Sequence, residues 1–246
     1  MKIAICFFGL NRSLSITHKS IEENIFKPLD SIGAEYNIFT ALMNPKSGYS
    51  NLRSGELRLL PEQDSLKFLN SDELLLLDQD NFDQNINFNL PPEIDAYGDQ
   101  HHSTMNIFRE LFSINQAYEL ACTSGERFDA FVFLRTDLFY HDRFNFEKYI
   151  SLIKTNGPAT LLTPAWQKWQ GLNDRFAIAG NVAAIAYGAR LFFIDTFLNE
   201  TKLKLHAETM LLYLAHKNSL NIAYDLTEKA SRVRGNGVIK DENFQI

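Results

Sequence analysis

The chain has 246 residues, which is long enough to bury a hydrophobic core of its own without a disulfide or a metal to hold it together. Its 24 basic and 30 acidic side chains give a formal net charge of -6, and this balance argues against a general electrostatic grip on nucleic acid or on an anionic membrane. The two cysteines, Cys6 and Cys122, lack any CxxC or Cys/His spacing, so we expect neither a disulfide framework nor a zinc site, and a cytoplasmic location.

Two apolar segments are candidates for an export signal or a membrane span. The first, IAICFFGL, is followed by Asn11 and Arg12 rather than by the small residues of a cleavage site, so it is predicted to be a buried strand. The second, residues 181–198, contains Arg190 and Asp195, and a membrane span would have to bury both charges. We therefore predict one buried helix there and no transmembrane segment.

The first half of the chain alternates predicted strands and helices. Apolar runs predict strands at residues 2–8, 36–42 and 73–78. Apolar residues recur at helical spacing after Ser13, whose hydroxyl group is expected to cap the first turn, and the same spacing predicts helices over 61–69 and 102–122. The segments 43–55 and 79–100 are rich in Asn and Pro and are predicted loops, the second unusually long for a compact domain.

The second half continues the alternation around a central strand, FVFL. After that strand we predict a helix over 145–155, strands at 160–164 and 175–180, the helix 181–198, a helix over 206–217, a strand at 220–225 and a basic tail at 227–246. Alternating strands and helices are typical of an α/β fold. We predict a single domain over residues 1–246, with a mostly parallel central sheet flanked by helices.

The central strand breaks abruptly from apolar residues into Arg135, Thr136 and Asp137. Side chains two apart in a strand point the same way, so Arg135 and Asp137 are expected to share a face at the carboxyl end of the strand. Open α/β sheets place their ligands at that edge. A carboxylate there suits Mg²⁺ or Mn²⁺, and a guanidinium suits a phosphate; the alternative is that the two side chains form a structural ion pair.

Five short motifs, taken in order, resemble bacterial glycosyltransferases that build lipopolysaccharide and capsular polysaccharide. The motifs are IAICFFGLNRS, FDAFVFLRTDLFY, LNDRFAIAG, LHAETML and RVRGNG, and together they span nearly the whole chain. The resemblance implies the GT-A type of Rossmann-like fold and a nucleotide-sugar as donor substrate. In that family an Asp-x-Asp motif holds a divalent metal and the donor diphosphate. Here the motif reads Arg135-Thr136-Asp137, so the resemblance implies Asp137 as a ligand of Mn²⁺ or Mg²⁺ and Arg135 as a further contact to the diphosphate.

The resemblance extends to two basic segments that are implied to contact the nucleotide. Gly9 and Arg12 follow the first strand in a polar turn, where such enzymes seat the nucleotide; a surface arginine is the alternative. Arg232 and Arg234 share a face if the tail is extended, and the resemblance implies that the tail folds back over the diphosphate. A solvated basic tail is the ordinary alternative.

Two carboxylates are candidates for the catalytic base that takes the proton of the acceptor hydroxyl. Asp174 lies in the turn before a predicted strand, and in the family this loop faces the donor sugar or the acceptor. Glu208 lies in the first turn of a predicted helix beside His206, where the helix dipole favours a carboxylate without any catalytic role. Trp166 and Trp169, just upstream of Asp174, are expected either to stack on a sugar or to fill the edge of the core.

The sequence therefore predicts a glycosyltransferase that moves a sugar from a nucleotide-sugar to a hydroxyl group of a cell-surface glycan or glycolipid, with peripheral contact at the inner membrane face as a further expectation. One alternative is a sugar-nucleotide nucleotidyltransferase, which also needs a diphosphate site at strand ends but normally has a Gly-rich basic loop after its first strand. A second alternative is a non-catalytic α/β protein that binds glycans. Nucleic acid is not an expected partner.

Overall fold

The computed structural model describes residues 1–51, 55–86 and 92–245. Within these residues the strands, in chain order, are β1 Lys2–Phe8, β2 Glu35–Asn44, β3 Tyr49–Asn51, β4 Glu56–Leu59, β5 Glu73–Asp78, β6 Ala130–Arg135, β7 Leu138–Tyr140, β8 Thr160–Pro164, β9 Ala177–Gly180, β10 Asn221–Leu226 and β11 Ala230–Arg232. Seven of these described strands form the central sheet in the order β10-β8-β9-β6-β1-β2-β5. All of them except β9 run parallel.

The helices connect successive strands of the sheet. The α-helices are α1 Leu14–Ile21, α2 Lys27–Ser31, α3 Gln79–Asn85, α4 His102–Thr123, α5 Phe146–Asn156, α6 Asn181–Gly188, α7 Ile194–Thr201 and α8 Ala207–Lys217. A π-helical turn, Glu22–Phe26, joins α1 to α2, and 3-10 helices cover Asp64–Leu69, Pro92–Ile94 and Arg190–Phe193. A mostly parallel sheet flanked by helices is the α/β class that the sequence predicted, and that prediction is confirmed.

The two faces of the sheet carry separate hydrophobic cores. Cys6 and Phe8 of β1 pack in a core with residues of α4, α6 and α8, whereas Ile5 and Phe7 pack in a second core with residues of α1 and α5. Alternate residues of a strand point to opposite faces, so a strand covered on both faces must be apolar throughout. This is the physical reason for the unbroken apolar run of the first strand.

The reversed direction of β9 brings the turn before it to the carboxyl edge of the sheet. Strand β9 lies antiparallel between β6 and β8, and Phe133 pairs with Ala177. The residues that precede β9 therefore lie beside the residues that end β6. This reversal places Asp174 near Arg135, although the two are far apart in sequence.

A short antiparallel ladder brings the C-terminal tail to the same edge. Strand β11 pairs with β7, so that Arg232 lies opposite Leu138, and the backbone N–H of Val233 donates to the carbonyl oxygen of Asp137 at 2.8 Å. Both strands have three residues, and periodicity over so short a segment did not predict them. They attach the tail directly behind the Arg135-Thr136-Asp137 turn.

The predicted loop over 79–100 is wrong in part. It begins with α3, whose first turn is capped by the Asp78 carboxylate, which accepts from the N–H of Asn81 at 3.0 Å. It also contains the 3-10 helix Pro92–Ile94, and residues 87–91 of the predicted loop lie outside the described residues. The predicted loop over 43–55 similarly contains β3, and the predicted helix over 61–69 is the 3-10 helix Asp64–Leu69.

The single helix predicted over 181–198 is also wrong, because the chain breaks between α6 and the following 3-10 helix. Arg190 follows this break. Its buried guanidinium group lies 4.3 Å from the ring centre of Tyr187 and reaches the carboxyl edge of the sheet. Among the described residues no single helix is long and apolar enough to cross a membrane; Asn181–Gly188 and Arg190–Thr201 pass that test only as a pair bent by 64°.

Ser13 precedes α1 as expected, but its side chain does not cap the helix. Its hydroxyl group donates instead to the carbonyl oxygen of Val233 at 3.0 Å. The predicted cap is therefore wrong. The hydroxyl group joins the start of α1 to the C-terminal tail, which tightens the packing of the tail on the sheet edge.

Candidate functional site

A carboxylate held between two guanidinium groups forms the centre of the site. Arg12 donates to Oδ2 of Asp137 from Nε at 2.9 Å and from a terminal nitrogen at 2.6 Å. Arg135 donates to Oδ1 from Nε at 2.8 Å and to Oδ2 from a terminal nitrogen at 3.0 Å. The two arginines meet because β1 and β6 are parallel neighbours, with Phe8 in register with Arg135. Both oxygens of the carboxylate thus accept from guanidinium groups, Oδ2 from both arginines and Oδ1 from Arg135.

The charges of this centre are nearly removed from water. Asp137 is 1% exposed. Burial by itself would raise the pKa of Asp137, but the adjacent Arg135 and Arg12 guanidinium groups outweigh burial and hold that pKa well below its usual range. The carboxylate is therefore ionised at neutral pH.

Further ion pairs extend from the centre in both directions along the sheet edge. Arg135 donates to Glu110 of α4 at 2.7 Å, and Arg12 donates to Glu56 of β4 at 3.1 Å. Glu56 also lies 3.6 Å from the guanidinium group of Arg234 and accepts from the backbone N–H of Gly235 at 2.8 Å. Glu56 thereby links the C-terminal tail to Arg12, which follows the first strand.

A neighbouring carboxylate, Glu242, holds two more arginines. It accepts from Arg232 at 2.8 Å and from Arg175 at 3.2 Å. We call the five guanidinium groups at this edge the arginine cluster; its members are Arg12, Arg135, Arg175, Arg232 and Arg234. Among the described residues, four carboxylates contact these five groups: Glu56, Glu110, Asp137 and Glu242.

The arginines of the cluster repel one another. Burial, together with the nearby charges of Arg12 and Arg232, lowers the pKa of Arg234 to about 10. Burial and the charge of Arg232 lower the pKa of Arg175 to about 10 as well. Burial is the larger cause of both shifts, and the nearby positive charges add to it, so an anion with several oxygens is a ligand that this edge is suited to bind.

Two carboxyl groups, one in the turn before β9 and one in the first turn of α8, lie within electrostatic reach of the cluster. Asp174 is buried and accepts from a terminal nitrogen of Arg190 at 3.2 Å. Glu208 lies in the first turn of α8, and His206, the residue that precedes this helix, has its Nδ1 atom 3.4 Å from Oε2 of Glu208. Burial raises the pKa of Glu208 to about 8, and the negative charges of Asp174 and Glu110 contribute to this rise. Glu208 is therefore a carboxyl group able to exchange a proton near neutral pH.

Gly171 explains how the loop before Asp174 approaches α8. A Cβ atom at this position would lie 2.0 Å from the carbonyl oxygen of Glu208, which is closer than any side chain can come to backbone. Next to it, the N–H of Leu172 donates to that same carbonyl at 3.0 Å. Glycine is needed here for close backbone approach, and this approach sets Asp174 beside Glu208.

The structure brings most of the predicted site residues to one edge. Arg12, Arg135, Asp137 and Arg234 belong to one network of ion pairs, and Arg232 belongs to a second one around Glu242. Asp174 and Glu208 lie within electrostatic reach of the first network through Glu110. Gly9 forms the turn after β1 with φ of 102°, and its N–H donates to the hydroxyl group of Ser113 at 2.7 Å. The binding and catalytic roles of all these residues stay predictions.

The sequence reasoning missed several charged members of the site. Glu56, Glu110 and Glu242 lie in segments where nothing in the spacing marks a polar residue as facing the sheet edge. Arg175 belongs to the turn that contains Asp174 and was not singled out. Arg190 had a detectable signal, because a charged residue in a long apolar run must find a buried partner.

The residues present do not fit the divalent metal ion that the resemblance implies at Asp137. No group of three or more His, Cys, Asp or Glu residues in the described part of the chain is arranged to hold a metal ion. Both oxygens of Asp137 already accept from guanidinium groups. Each guanidinium group about 4 Å from a dication contributes roughly 8 kcal/mol of repulsion at an effective dielectric constant of about 20, which opposes the attraction of the Asp137 carboxylate.

The two tryptophans before Asp174 have different environments. Trp166 is 1% exposed, donates from Nε1 to the carbonyl oxygen of Glu228 at 2.9 Å and stacks with the guanidinium group of Arg175 at 5.1 Å. Trp166 therefore fills the edge of the core, which is one of the two roles expected from the sequence. Trp169 is 60% exposed, in backbone of positive φ, and its ring is available to a ligand.

Two surface cavities lie away from this site. One, of about 600 Å³, is lined by Ile32 and Ile150, and the other, of about 570 Å³, lies between α7 and α8 beside Phe197 and Tyr213. Neither is lined by a residue of the arginine cluster. The arginine cluster is the stronger candidate site, because it combines buried charge with a neighbouring carboxyl group, Glu208, whose pKa is raised to about 8.

No protein-family model matches this chain, and comparison with curated proteins gives no match. Among solved structures, the chain is similar to mouse xyloside xylosyltransferase 1 in its apo form, with a TM-score of 0.41 and 10% identity over 91% of this chain and 84% of that one. It is also similar to the galactosyltransferase LgtC in complex with donor and acceptor sugar analogues, with a TM-score of 0.38 and 12% identity over 91% of this chain and 72% of that one. At these scores the likeness does not bear on the site.

Proposed function

We propose that the protein transfers a sugar from a nucleotide-sugar donor to a hydroxyl group of a glycan or glycolipid acceptor. One observation carries the proposal. At the carboxyl edge of the sheet, the mutually repelling arginine cluster lies next to Glu208, a carboxyl group whose pKa is raised to about 8. The first feature suits a diphosphate and the second suits a base, and glycosyl transfer from a nucleotide-sugar needs both.

On the donor side, the arginine cluster is the group that stabilises the leaving diphosphate. The bond between the anomeric carbon and the diphosphate oxygen breaks, and its electron pair leaves with the nucleoside diphosphate. Guanidinium groups bind phosphate oxygens in pairs through parallel N–H groups, and in a site partly removed from water this contact is strong. The pKa values of Arg234 and Arg175 are lowered, so an added negative charge stabilises their charged forms.

On the acceptor side, Glu208 is the base. Its carboxylate takes the proton of the acceptor hydroxyl group while the acceptor oxygen bonds to the anomeric carbon. A base with a pKa of about 8 is stronger than an ordinary glutamate and is still partly ionised near neutral pH. Asp174 is the less suitable of the two predicted bases, because its carboxylate is paired with the buried guanidinium group of Arg190.

The finer parts of the proposal concern the place and the acceptor of the reaction. The resemblance of the five motifs to bacterial enzymes supports a cell-surface glycan or glycolipid as acceptor. It also supports a cytoplasmic protein that meets a glycolipid acceptor at the inner membrane face. Formation of a labelled product on such an acceptor, in membranes from a strain that lacks this protein, would test both parts.

Thermal unfolding with a panel of ligands tests the core of the proposal. The panel contains UDP, GDP, CMP, dTDP and their sugar conjugates, each with and without Mn²⁺. A ligand that binds only the folded state raises the melting temperature by mass action, so we expect one nucleotide class to give a selective rise. Donor hydrolysis or transfer is then measured with the sugar conjugate of that nucleotide.

Matched arginine variants connect the rise to the site. Arg234→Gln removes one cation of the cluster and should reduce the ligand-induced rise, whereas Arg143→Gln removes an exposed arginine outside the cluster and should leave it unchanged. If no nucleotide or nucleotide-sugar raises the melting temperature, the proposal is wrong. A rise with glycans alone would favour a non-catalytic glycan-binding protein.

A further inference from the structure

Asp137 occupies the position where the resemblance places a metal ligand, yet its contacts are those of a counterion. We infer that the donor diphosphate is held by guanidinium groups without a divalent cation, and that Asp137 positions Arg12 and Arg135 rather than binding metal. This inference rests on the proposed function and specifies how its donor site works. Four observations carry it: the saturation of Asp137, the pairing of the neighbouring carboxylates, the remaining N–H groups of the arginines, and the open contacts of Arg175 and Arg234.

The first observation is that Asp137 has no oxygen left for a cation. Its two oxygens accept four hydrogen bonds from Arg12 and Arg135, at 2.6 to 3.0 Å, and the side chain is almost fully buried. Mg²⁺ and Mn²⁺ usually retain several water molecules while they bind one or two carboxylates. A hydrated cation at Asp137 would have to displace at least one buried guanidinium group.

The second observation is that the neighbouring carboxylates are paired as well. Glu56 contacts Arg12 and Arg234, and Glu110 contacts Arg135. On the far side of the cluster, Glu242 contacts two further arginines. Each carboxylate that could join Asp137 around a cation already neutralises a guanidinium group. The edge therefore offers positive charge, which a diphosphate needs, and in the described part of the chain the glutamates beside Asp137 are already paired with guanidinium groups.

The third observation concerns what Asp137 does for its two arginines. All three nitrogens of Arg12 and all three of Arg135 donate to carboxylates. A guanidinium group has five N–H groups in a fixed plane, so Arg135 keeps one N–H on each terminal nitrogen. Arg12 keeps one on the terminal nitrogen that contacts Asp137, while its other terminal nitrogen contacts both oxygens of Glu56. Asp137 fixes both planes at the strand ends, and these remaining N–H groups are held in place before any ligand arrives.

The fourth observation is that two arginines have unused capacity. Among the described residues the guanidinium group of Arg234 meets only Glu56, at 3.6 Å, which is too long for a hydrogen bond. One terminal nitrogen of Arg175 is buried and has no hydrogen-bond partner in the described structure. A buried N–H without a partner is unfavourable, and a phosphate oxygen is an acceptor that would satisfy it.

Binding of inorganic pyrophosphate and of UDP, GDP and dTDP, each in EDTA and in Mn²⁺, tests the inference on the full chain by calorimetry. We expect pyrophosphate and one nucleoside diphosphate to bind in EDTA with affinities within about twofold of those in Mn²⁺. Arg234→Gln should weaken binding in EDTA about tenfold, which corresponds to about 1.4 kcal/mol. It should also flatten the dependence of affinity on salt, because one cation fewer contacts the anion.

Asp137→Asn separates a positioning residue from a metal ligand. If Asp137 positions the arginines, this variant should weaken binding in EDTA; if Asp137 binds metal, it should abolish only the part of binding that Mn²⁺ adds. Asp225→Asn, which removes an exposed carboxylate paired with Lys148, is the control and should bind as the unaltered chain does. Should Asp137→Asn fail to fold, Arg234→Gln and the unaltered chain still decide between the two outcomes.

The results also separate this inference from the proposed function. Binding that requires Mn²⁺, or affinity raised tenfold or more by Mn²⁺, overturns the inference while the proposed function stands. Pyrophosphate binding in EDTA without binding of any nucleoside diphosphate or nucleotide-sugar supports the arginine site and overturns the proposed function. Absence of any diphosphate binding, with or without Mn²⁺, overturns both.

Discussion

Arg12 and Asp137 are 125 residues apart in sequence, yet two nitrogens of the arginine donate to the same carboxylate oxygen, at 2.9 and 2.6 Å. The pair closes the carboxyl edge of the sheet, because Arg12 follows β1 and Asp137 follows β6. Removing one partner of a buried ion pair strongly destabilises the folded protein, because the other charge remains without a counterion. Stability and ligand binding are therefore expected to depend on the same residue.

Asp137→Asn should lower the free energy of unfolding by roughly 3 kcal/mol at neutral pH, because two buried guanidinium groups lose their shared counterion. The pKa of Asp137 is held far below its usual range, because its neighbouring arginines outweigh the opposing effect of burial. A depressed carboxyl pKa contributes stability above the unfolded-state value of about 3.9 and loses it as the pH falls toward the folded-state value. Urea unfolding at neutral pH and below about pH 4 measures both effects.

The variant and the unaltered chain should approach the same stability as the pH falls below about 4, because the unfolded chain then gains a proton on Asp137 while the folded state keeps that carboxylate ionised. Asp225→Asn, at an exposed ion pair, should change stability by less than about 1 kcal/mol at any pH. Equal stability of Asp137→Asn and the unaltered chain at neutral pH would contradict the buried ion pair itself.

The sequence predicted the fold class because the sheet is buried on both faces. Strands covered on both sides must be apolar throughout, so the runs that became β1 and β8 were visible without any alignment. The direction of β9 was not visible, because an antiparallel strand and a parallel one have the same apolar pattern. The ladder of β7 and β11 was too short to show any periodicity.

The sequence predicted the location of the site better than the pairing of its charged side chains. Arg12 and Asp137 were expected at one edge because the carboxyl ends of parallel strands meet there. Whether Arg135 would pair with Asp137 or with a ligand was open, since both outcomes use the same residue types. Glu110 could not be found, because a polar residue on a long helix faces the solvent far more often than a sheet edge.

Glu208→Gln should abolish transfer and at the same time stabilise the protein at alkaline pH. Burial, with the charges of Asp174 and Glu110, raises the pKa of Glu208 to about 8. In the unfolded chain that pKa is about 4.3, so the folded state retains a proton that the unfolded state releases, and stability falls as the pH rises between these two values. Glutamine removes this loss, and we expect a gain of the order of 2 kcal/mol near pH 8, measured by urea unfolding.

The pH dependence of the reaction gives a second test of Glu208. As the base must be ionised, kcat/KM should rise with pH, and level off above an apparent pKa of about 8. Asp174→Asn gives a further check, since it removes one of the negative charges that raise this pKa and should therefore move the profile to lower pH. A profile that is flat from about pH 6 to 9 would exclude Glu208 as the base.

Gly171→Ala should lower the melting temperature and the rate together. The new Cβ atom would lie 2.0 Å from the carbonyl oxygen of Glu208, so the loop and α8 must separate. Gly125→Ala is the matched control: its φ of 82° is also unfavourable for alanine, but nothing lies within 4 Å of the added atom. We expect about 1 kcal/mol of destabilisation in the control and more than twice that in Gly171→Ala. Equal losses would show that the loop moves freely.

Trp169→Ala should raise KM for the acceptor and leave stability nearly unchanged. The ring is 60% exposed beside the loop that carries Asp174, where it can stack on a sugar face. Trp166→Ala is the comparison, because Trp166 is 1% exposed and its loss should destabilise the fold by about 3 to 5 kcal/mol. Initial rates at varied acceptor concentration, together with thermal unfolding of both variants, separate the two roles. If Trp169→Ala changes neither KM nor kcat for any accepted glycan, the ring takes no part in acceptor binding and the exposed loop is only a connection between β8 and β9.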